Sequence, residues 1–469
     1  MVRRALLVGG TSSHAGKSWM ATAICRHLRR RGLRVAPFKA QNMSLNSYPC
    51  RNGGEIGRAQ VVQAEACGLE PASDMNPVLL KPNGEGSSQV VVDGKVWRNL
   101  RAAEYYEHFD FLLGRVLAAW ERLAARYDYI VMEGAGSVAE VNLRARDLVN
   151  LGLARRVGAP ALLVADIDRG GVFASVAGTF GLLEAEEAPL VPAFAINRFR
   201  GDASLFAGGI RFLEDKTGRK CLGLFPYEDS LAIDPEDGLS LDGMAPAAGT
   251  GPRVGILRFP RVSNFTDFRL LPRARWIRRP EPGRFDCVIL PGSKNTLADL
   301  AWMRARGLDR WVLAQHAQGA RVVGICGGYQ MLGERIDDPH GVESEAGASA
   351  SGLGLLPVVT MLAPEKTTRV VEAATPAGRK FRAYEIHMGL TRRPPDCAPF
   401  AVLAEGDEGI RARGCVGTYL HGALEDPGVL EELLGTAVEP GEDKEVLYDR
   451  LADWFERHAD LRLFEELYL

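Results

Sequence analysis

The stretch "LLVGGTSSHAGKSWM" (6–20) decides the fold. Apolar residues run into a glycine-rich turn, and beyond it Met20, Ile24 and Leu28 recur on one helical face. In a strand–glycine loop–helix unit, backbone N–H groups and a helix N-terminus converge on a phosphate. Lys17 is expected to reach the β- and γ-phosphates of ATP, and the Ser18 hydroxyl to join a Mg2+ shell. The strict GxxxxGK[ST] spacing is not met: five residues, not four, separate Gly10 from Gly16, and Thr11 stands at the first glycine position. Gly10, Thr11, Gly16, Lys17 and Ser18 are the expected nucleotide contacts.

Working outward, the same unit repeats. "RVAPFKA", "YDYIVMEG", "APALLVAD", "LVPAFAIN" and "CLGLFP" read as buried parallel strands with helical segments between them. This predicts a doubly wound α/β domain over 1–241. Glu133 ends one strand, where a carboxylate can hold Mg2+ or its waters. Asn197 ends another, either as a turn former or, as the similarity to a class of ATPases implies, at an adenine edge. The stretch "DGMAPAAGTGP" (242–252) has no period and reads as a linker. A second α/β block, 253–469, follows with "RVGILRF", "FDCVILPG", "RVVGIC", "GLGLLPVV" and "CVGTYL" as its strands. The amphipathic tail, with Leu447, Leu451 and Phe455 on one face, is expected to pack on this second block.

The chain of 469 residues carries a formal charge of −2, which argues against a nucleic-acid binder. The basic run "RHLRRRGLR" (26–34) closes a helix and reads as a solvated face that complements the helix dipole. No apolar run reaches the ~20 residues of a membrane span. The eight cysteines show no CxxC spacing, so neither a disulfide framework nor a zinc site is suggested, and a cytoplasmic setting is expected.

In the second block, "VVGICGGY" reads as strand, sharp turn and helix: a nucleophile elbow at Cys326. The helix N-terminus favours the thiolate. The N–H of Gly327, with a second donor from Gly292 or Ser293 in "LPGSKNT", would face an oxyanion. His421, just past a strand in "GTYLHGALED", suits a thiol–imidazole pair.

These residues resemble the class I glutamine amidotransferase domain, which works through a Cys–His–Glu triad. The usual triad Glu, two residues after the His, is replaced by Ala423, and Glu425 is an uncertain substitute. The first block resembles dethiobiotin synthetase-like ATPases. Over nearly the whole chain, "PFKAQNMSLNSY", "EGAGSVAEVNLRARDLVNLGLA", "LVADIDRGGVFAS", "GICGGYQMLG", "YEIHMG" and "GTYLHG" resemble the glutamine-hydrolysing cobyric acid synthase family of corrinoid biosynthesis. That resemblance implies ATP- and glutamine-dependent amidation of carboxylates b, d, e and g of adenosylcobyrinic a,c-diamide. Gln41, Asn42 and Ser44 become candidates for the corrinoid carboxylate or Mg2+–ATP, with Glu65 and Asp168 as further substrate candidates. Two alternatives stand: the sister a,c-diamide synthase family, and a P-loop switch ATPase with an inert second domain.

Overall fold

The computed structural model describes residues 5–51, 53–84, 86–231, 233–234, 251–439 and 441–469. The chain forms two compact units: one takes residues up to 43, 56–234 and 442–469; the other takes 44–55 and the span up to 441. The linker expected at 242–252 lies, apart from its last two residues, outside the described residues.

The first unit is built on six parallel strands: β1 (Ala5–Gly10), β2 (Val35–Phe38), β3 (Tyr129–Glu133), β4 (Ala161–Asp166), β5 (Ala193–Phe199) and β6 (Lys220–Pro226). Their spatial order is β6-β5-β4-β1-β3-β2, and every neighbouring pair is parallel. The four strands β1–β4 are buried along their whole length, which is why they read as continuous apolar runs without alternation. Helix α1 (Lys17–Arg30) and helix α2 (Arg58–Ala66) are part of this unit.

The tail corrects the expectation. Helix α4 (Lys444–His458) and helix α5 (Leu461–Tyr468) belong to the first unit; Leu447, Leu451, Trp454, Phe455 and Phe464 share a core with Met20, Ile24 and Leu28 of α1. An apolar stripe fixes that a helix is buried but not which sheet it covers. The basic run on α1 is corrected with it. Arg26 is buried and bonds Asp449 (2.7 Å) and Glu445 (2.8 Å), and Arg30 pairs with Asp453 (2.6 Å). The run is a docking face for the acidic tail helix.

The second unit carries β7 (Val254–Leu257), β8 (Arg275–Ile277), β9 (Cys287–Leu290), β10 (Arg321–Ile325), β11 (Ile410–Ala412) and β12 (Cys415–Thr418), in the order β8-β7-β9-β10-β12-β11. Only the β11–β12 pair is antiparallel. Helix α3 (Gly327–Leu332) follows β10 directly. The strand expected in "GLGLLPVV" does not form. Gly354 takes φ +68°, Pro357 offers no N–H, and the N–H groups of Leu355 and Leu356 turn to the Leu332 carbonyl instead. A long antiparallel hairpin, Val359–Ala374 with Lys380–Arg392, was not read from the sequence.

Candidate functional sites

In the second unit the elbow is present. Cys326 sits between β10 and α3 at φ 52°, ψ −110°, a conformation that L-residues rarely adopt. Its N–H is fixed by the Thr418 carbonyl at 2.8 Å. Gly328 is required by close approach: a Cβ there would lie 1.9 Å from the Leu290 carbonyl oxygen. Cys326 is 7% exposed, and its Sγ lies 3.6 Å from the Ile386 carbonyl.

His421 is fully buried. Its backbone pairs both ways with Tyr384 at 2.9 Å, and the Tyr384 ring stacks on the imidazole with centroids 5.3 Å apart. Nδ1 meets Asp267 Oδ2 at 2.7 Å, while Asp267 Oδ1 accepts the Gly422 N–H at 2.7 Å. Burial works against the imidazolium. The Asp267 carboxylate and its hydrogen bond, aided by Cys326, outweigh that and raise His421 to about 10. Among the described residues Nε2 has no hydrogen-bond acceptor or donor assigned to it, so it is the nitrogen left for the thiol. The third member of the constellation is therefore Asp267, not Glu425, which binds Arg269 (2.9 Å). Sequence reading missed Asp267 because it lies 154 residues from the histidine. The available signal was an acid set among Phe265 and Phe268, both core residues: a buried carboxylate needs a partner.

The "PGS" turn closes the site. Gly292 lies against His421, and a Cβ on it would come within 3.1 Å of Cε1. A Cβ on Gly327 would meet the Ser293 amide nitrogen at 2.9 Å, so the two expected donor segments lie side by side. Ser293 Oγ is anchored to the buried Asp299 at 2.6 Å. The motif "YEIHMG" now has a place. Its strand supplies Tyr384 to the histidine and the Ile386 carbonyl to the sulfur, while His387 stacks on Tyr419 at 3.8 Å.

In the first unit, Gly16 takes φ +98° at the start of α1. Lys17 folds back over Gly10, and its Nζ donates to the carbonyls of Ser12 and Gly136, both at 2.9 Å. Ser18 Oγ donates to Glu133 Oε1 at 2.8 Å, bringing together the two residues expected at the metal. Thr11 N–H is held by the Val164 carbonyl. Asn197 Nδ2 donates to Ala15 O (3.0 Å), which sets it beside the loop. Two residues were missed. Lys39 Nζ meets Glu133 Oε1 at 2.9 Å, and Gln63 Nε2 donates to Oε2 at 2.5 Å. For Lys39 there was a signal: a lysine ending an apolar strand that pairs with the strand ending in Glu133.

The low-ranking substrate candidates separate. Gln41 accepts from Tyr105 Oη (2.5 Å), and Asn42 Nδ2 donates to Gln60 (2.8 Å). Ser44 belongs to the second unit, where its Oγ accepts the Asn46 N–H. Glu65 accepts from Tyr448 Oη (2.6 Å) and pairs with Lys444 (3.3 Å), both of α4. Asp168 pairs with Arg200 (2.8 Å) on the loop after β4.

A nucleotide-binding fold with a Cys–His–Asp elbow defines a two-domain glutamine amidotransferase. The CobQ/CobB/MinD/ParA nucleotide-binding domain family matches residues 6–241, and the CobB/CobQ-like glutamine amidotransferase domain family matches 253–429. A protein of Methanoculleus marisnigri named "Probable cobyric acid synthase" is 45% identical, covering 97% of each chain. The "Cobyric acid synthase" of Syntrophobacter fumaroxidans is 43% identical, covering 98% of this chain and 97% of its own. The chain belongs to the cobyric acid synthase family.

Proposed function

We propose that this chain amidates carboxylates b, d, e and g of adenosylcobyrinic a,c-diamide, taking ammonia from glutamine and activation from ATP. The observation that carries the ammonia-forming half is the Asp267–His421 pair beside Cys326. The thiolate attacks the carboxamide carbon of glutamine, and the oxyanion is met by the N–H of Gly327 and one from the Gly292–Ser293 turn. The His421 imidazolium protonates the departing nitrogen, so ammonia leaves and a thioester remains for water to hydrolyse. Asp267 holds the ring and stabilises its cationic form.

In the other half, an acceptor carboxylate attacks the γ-phosphate of ATP, and ammonia displaces phosphate from the acyl phosphate. Lys17 and the loop amides bind the phosphates, with Gly10, Thr11 and Gly16 shaping the loop and Asn197 on the side expected for the base. The Ser18 hydroxyl and Glu133 carboxylate, 2.8 Å apart, are a hard-oxygen donor pair that fits Mg2+, which would offset phosphate charge. Lys39 already sets its ammonium against that carboxylate, so Glu133 is held in place. The reading is supported by relatives named cobyric acid synthase and matched over 97% of their own length, and the four positions are those the family resemblance implies. Mass spectrometry of the corrinoid after incubation with ATP and glutamine tests it. Four carboxylate-to-amide conversions are expected; conversion of cobyrinic acid to its a,c-diamide instead would transfer the chain to the sister activity.

A further inference from the structure

Beside the loop that follows Glu133, the first unit holds a cavity of about 240 Å3, whose lining includes Gln41, Tyr106, Gly136, Leu143, Arg144 and Arg146. Its position is set by topology. Asn197 lies in the last part of β5 on one side of the phosphate loop; Gln41 follows β2 and Gly136 follows β3 on the other. The Gly136 carbonyl in its wall accepts the Lys17 ammonium, so the cavity adjoins the phosphate site on the side away from Asn197.

The charges of this lining are mostly settled. Arg144 pairs with Glu184 (2.9 Å) and Glu187 (3.2 Å). Asp147 accepts the N–H groups of Val149, Asn150 and Gly152. Arg146 differs: among the described residues no acid pairs with it, and its guanidinium lies 5.6 Å over the Tyr106 ring. Glu140, exposed at the rim, is the one lining carboxylate without a hydrogen bond or ion pair, and it can accept from amide N–H groups. On the same turn as Arg146, Val141 and Leu143 are 51% and 39% exposed. A carboxyalkyl arm fits this volume, and the macrocycle would lie against the exposed Val141 and Leu143.

We infer that Arg146 is an acceptor-anchoring residue: it pairs with a non-reacting carboxylate of the polycarboxylate acceptor while another arm is presented to the phosphates. The inference rests on the proposed function. A guanidinium clamped to the attacking carboxylate would draw charge from the nucleophile, so the anchored arm is a different one. A substrate with several peripheral carboxylates always offers such an arm. Tyr106 keeps the guanidinium plane in place, and the fork suits a carboxylate.

The test compares Arg146→Gln and Arg146→Lys with the wild type in ammonia-dependent amidation. The acceptors are the polycarboxylate corrinoid and a corrinoid with all carboxylates but one esterified. Arg146→Gln is expected to raise KM for the polycarboxylate roughly 10- to 100-fold, with kcat within about threefold, from loss of one charge-assisted contact. Arg146→Lys should recover part of that loss. For the single-carboxylate acceptor, KM should not respond to the substitution, and neither should ATP affinity or glutaminase activity. An unchanged KM for the polycarboxylate, or an equal rise for both acceptors, would overturn the assignment. A wild type that amidates no corrinoid would overturn the parent reading, a result distinct from either.

Discussion

The two sites are prepared in opposite ways. Around Cys326 the reactive groups are aimed at an outside partner: the carboxylate is spent on the imidazole, and the imidazole keeps one nitrogen for the thiol. Around Glu133 the groups are engaged with one another. The carboxylate receives Ser18, Lys39 and Gln63, and Lys17 is held by two carbonyls. A covalent mechanism needs a nucleophile ready before its substrate arrives. Phosphoryl transfer is mostly positioning and charge compensation, and a phosphate can take over the donors that carbonyls hold.

The sharpest way to separate the halves is Cys326→Ala. Glutamine-dependent amidation should fall by at least about a thousandfold while ammonia-dependent amidation persists, as read by product mass; loss of both would join what is here divided. Lys17→Ala should remove amidation from either nitrogen source by roughly a hundredfold or more, with glutamine hydrolysis measured alone as the control. Asp267→Asn should lower kcat for glutamine by about 10^2 to 10^4, and ammonia use should be untouched. A comparable loss in Glu425→Gln, with Asp267→Asn silent, would return the third role to the earlier candidate.

The smaller effects concern stability. Phe455→Ala should cost the first unit roughly 3–5 kcal/mol, since a fully buried aromatic leaves a cavity between α4 and α1. Denaturant titration followed by nucleotide-binding loss would show it; a transition limited to loss of glutaminase would place the tail elsewhere. A further effect is a slope with pH. His421 is raised from 6.5 to about 10, so its pairing contributes fully below pH 6.5 and is lost as pH rises through 10. Stability of the second unit should decline across that window, and Asp267→Asn should flatten the decline.

The sequence was most readable where local geometry carries the chemistry. A glycine loop between strand and helix, and a cysteine between two glycines, need no distant partner to be understood. Cys326, His421, Lys17, Ser18 and Glu133 were legible for that reason. Asp267, Lys39 and Gln63 were not, because each works by meeting a residue from another element. The tail helix and the basic face of α1 form one such pair. Each looked complete alone, as a stripe and as a solvated edge, and only their contact shows that the stripe covers the first sheet. The substrate candidates drawn from resemblance lie in different surroundings: Gln41 lines a cavity, and Glu65 contacts α4.

The short insert 44–55 has a practical outcome. It departs from the nucleotide unit just after Met43 and contributes to the amidotransferase unit before the chain returns at Ile56. There the Ser47 N–H binds the Asn264 side chain (3.0 Å), Tyr48 packs on Tyr384, and Glu55 pairs with Lys366. Any scissors applied at the obvious break near residue 250 would therefore yield two fragments, each lacking a piece encoded in the other. A chain divided there would leave the nucleotide unit without its tail helices and the amidotransferase unit without its 44–55 segment, so the two catalytic halves share one folding template even though their chemistries are separable.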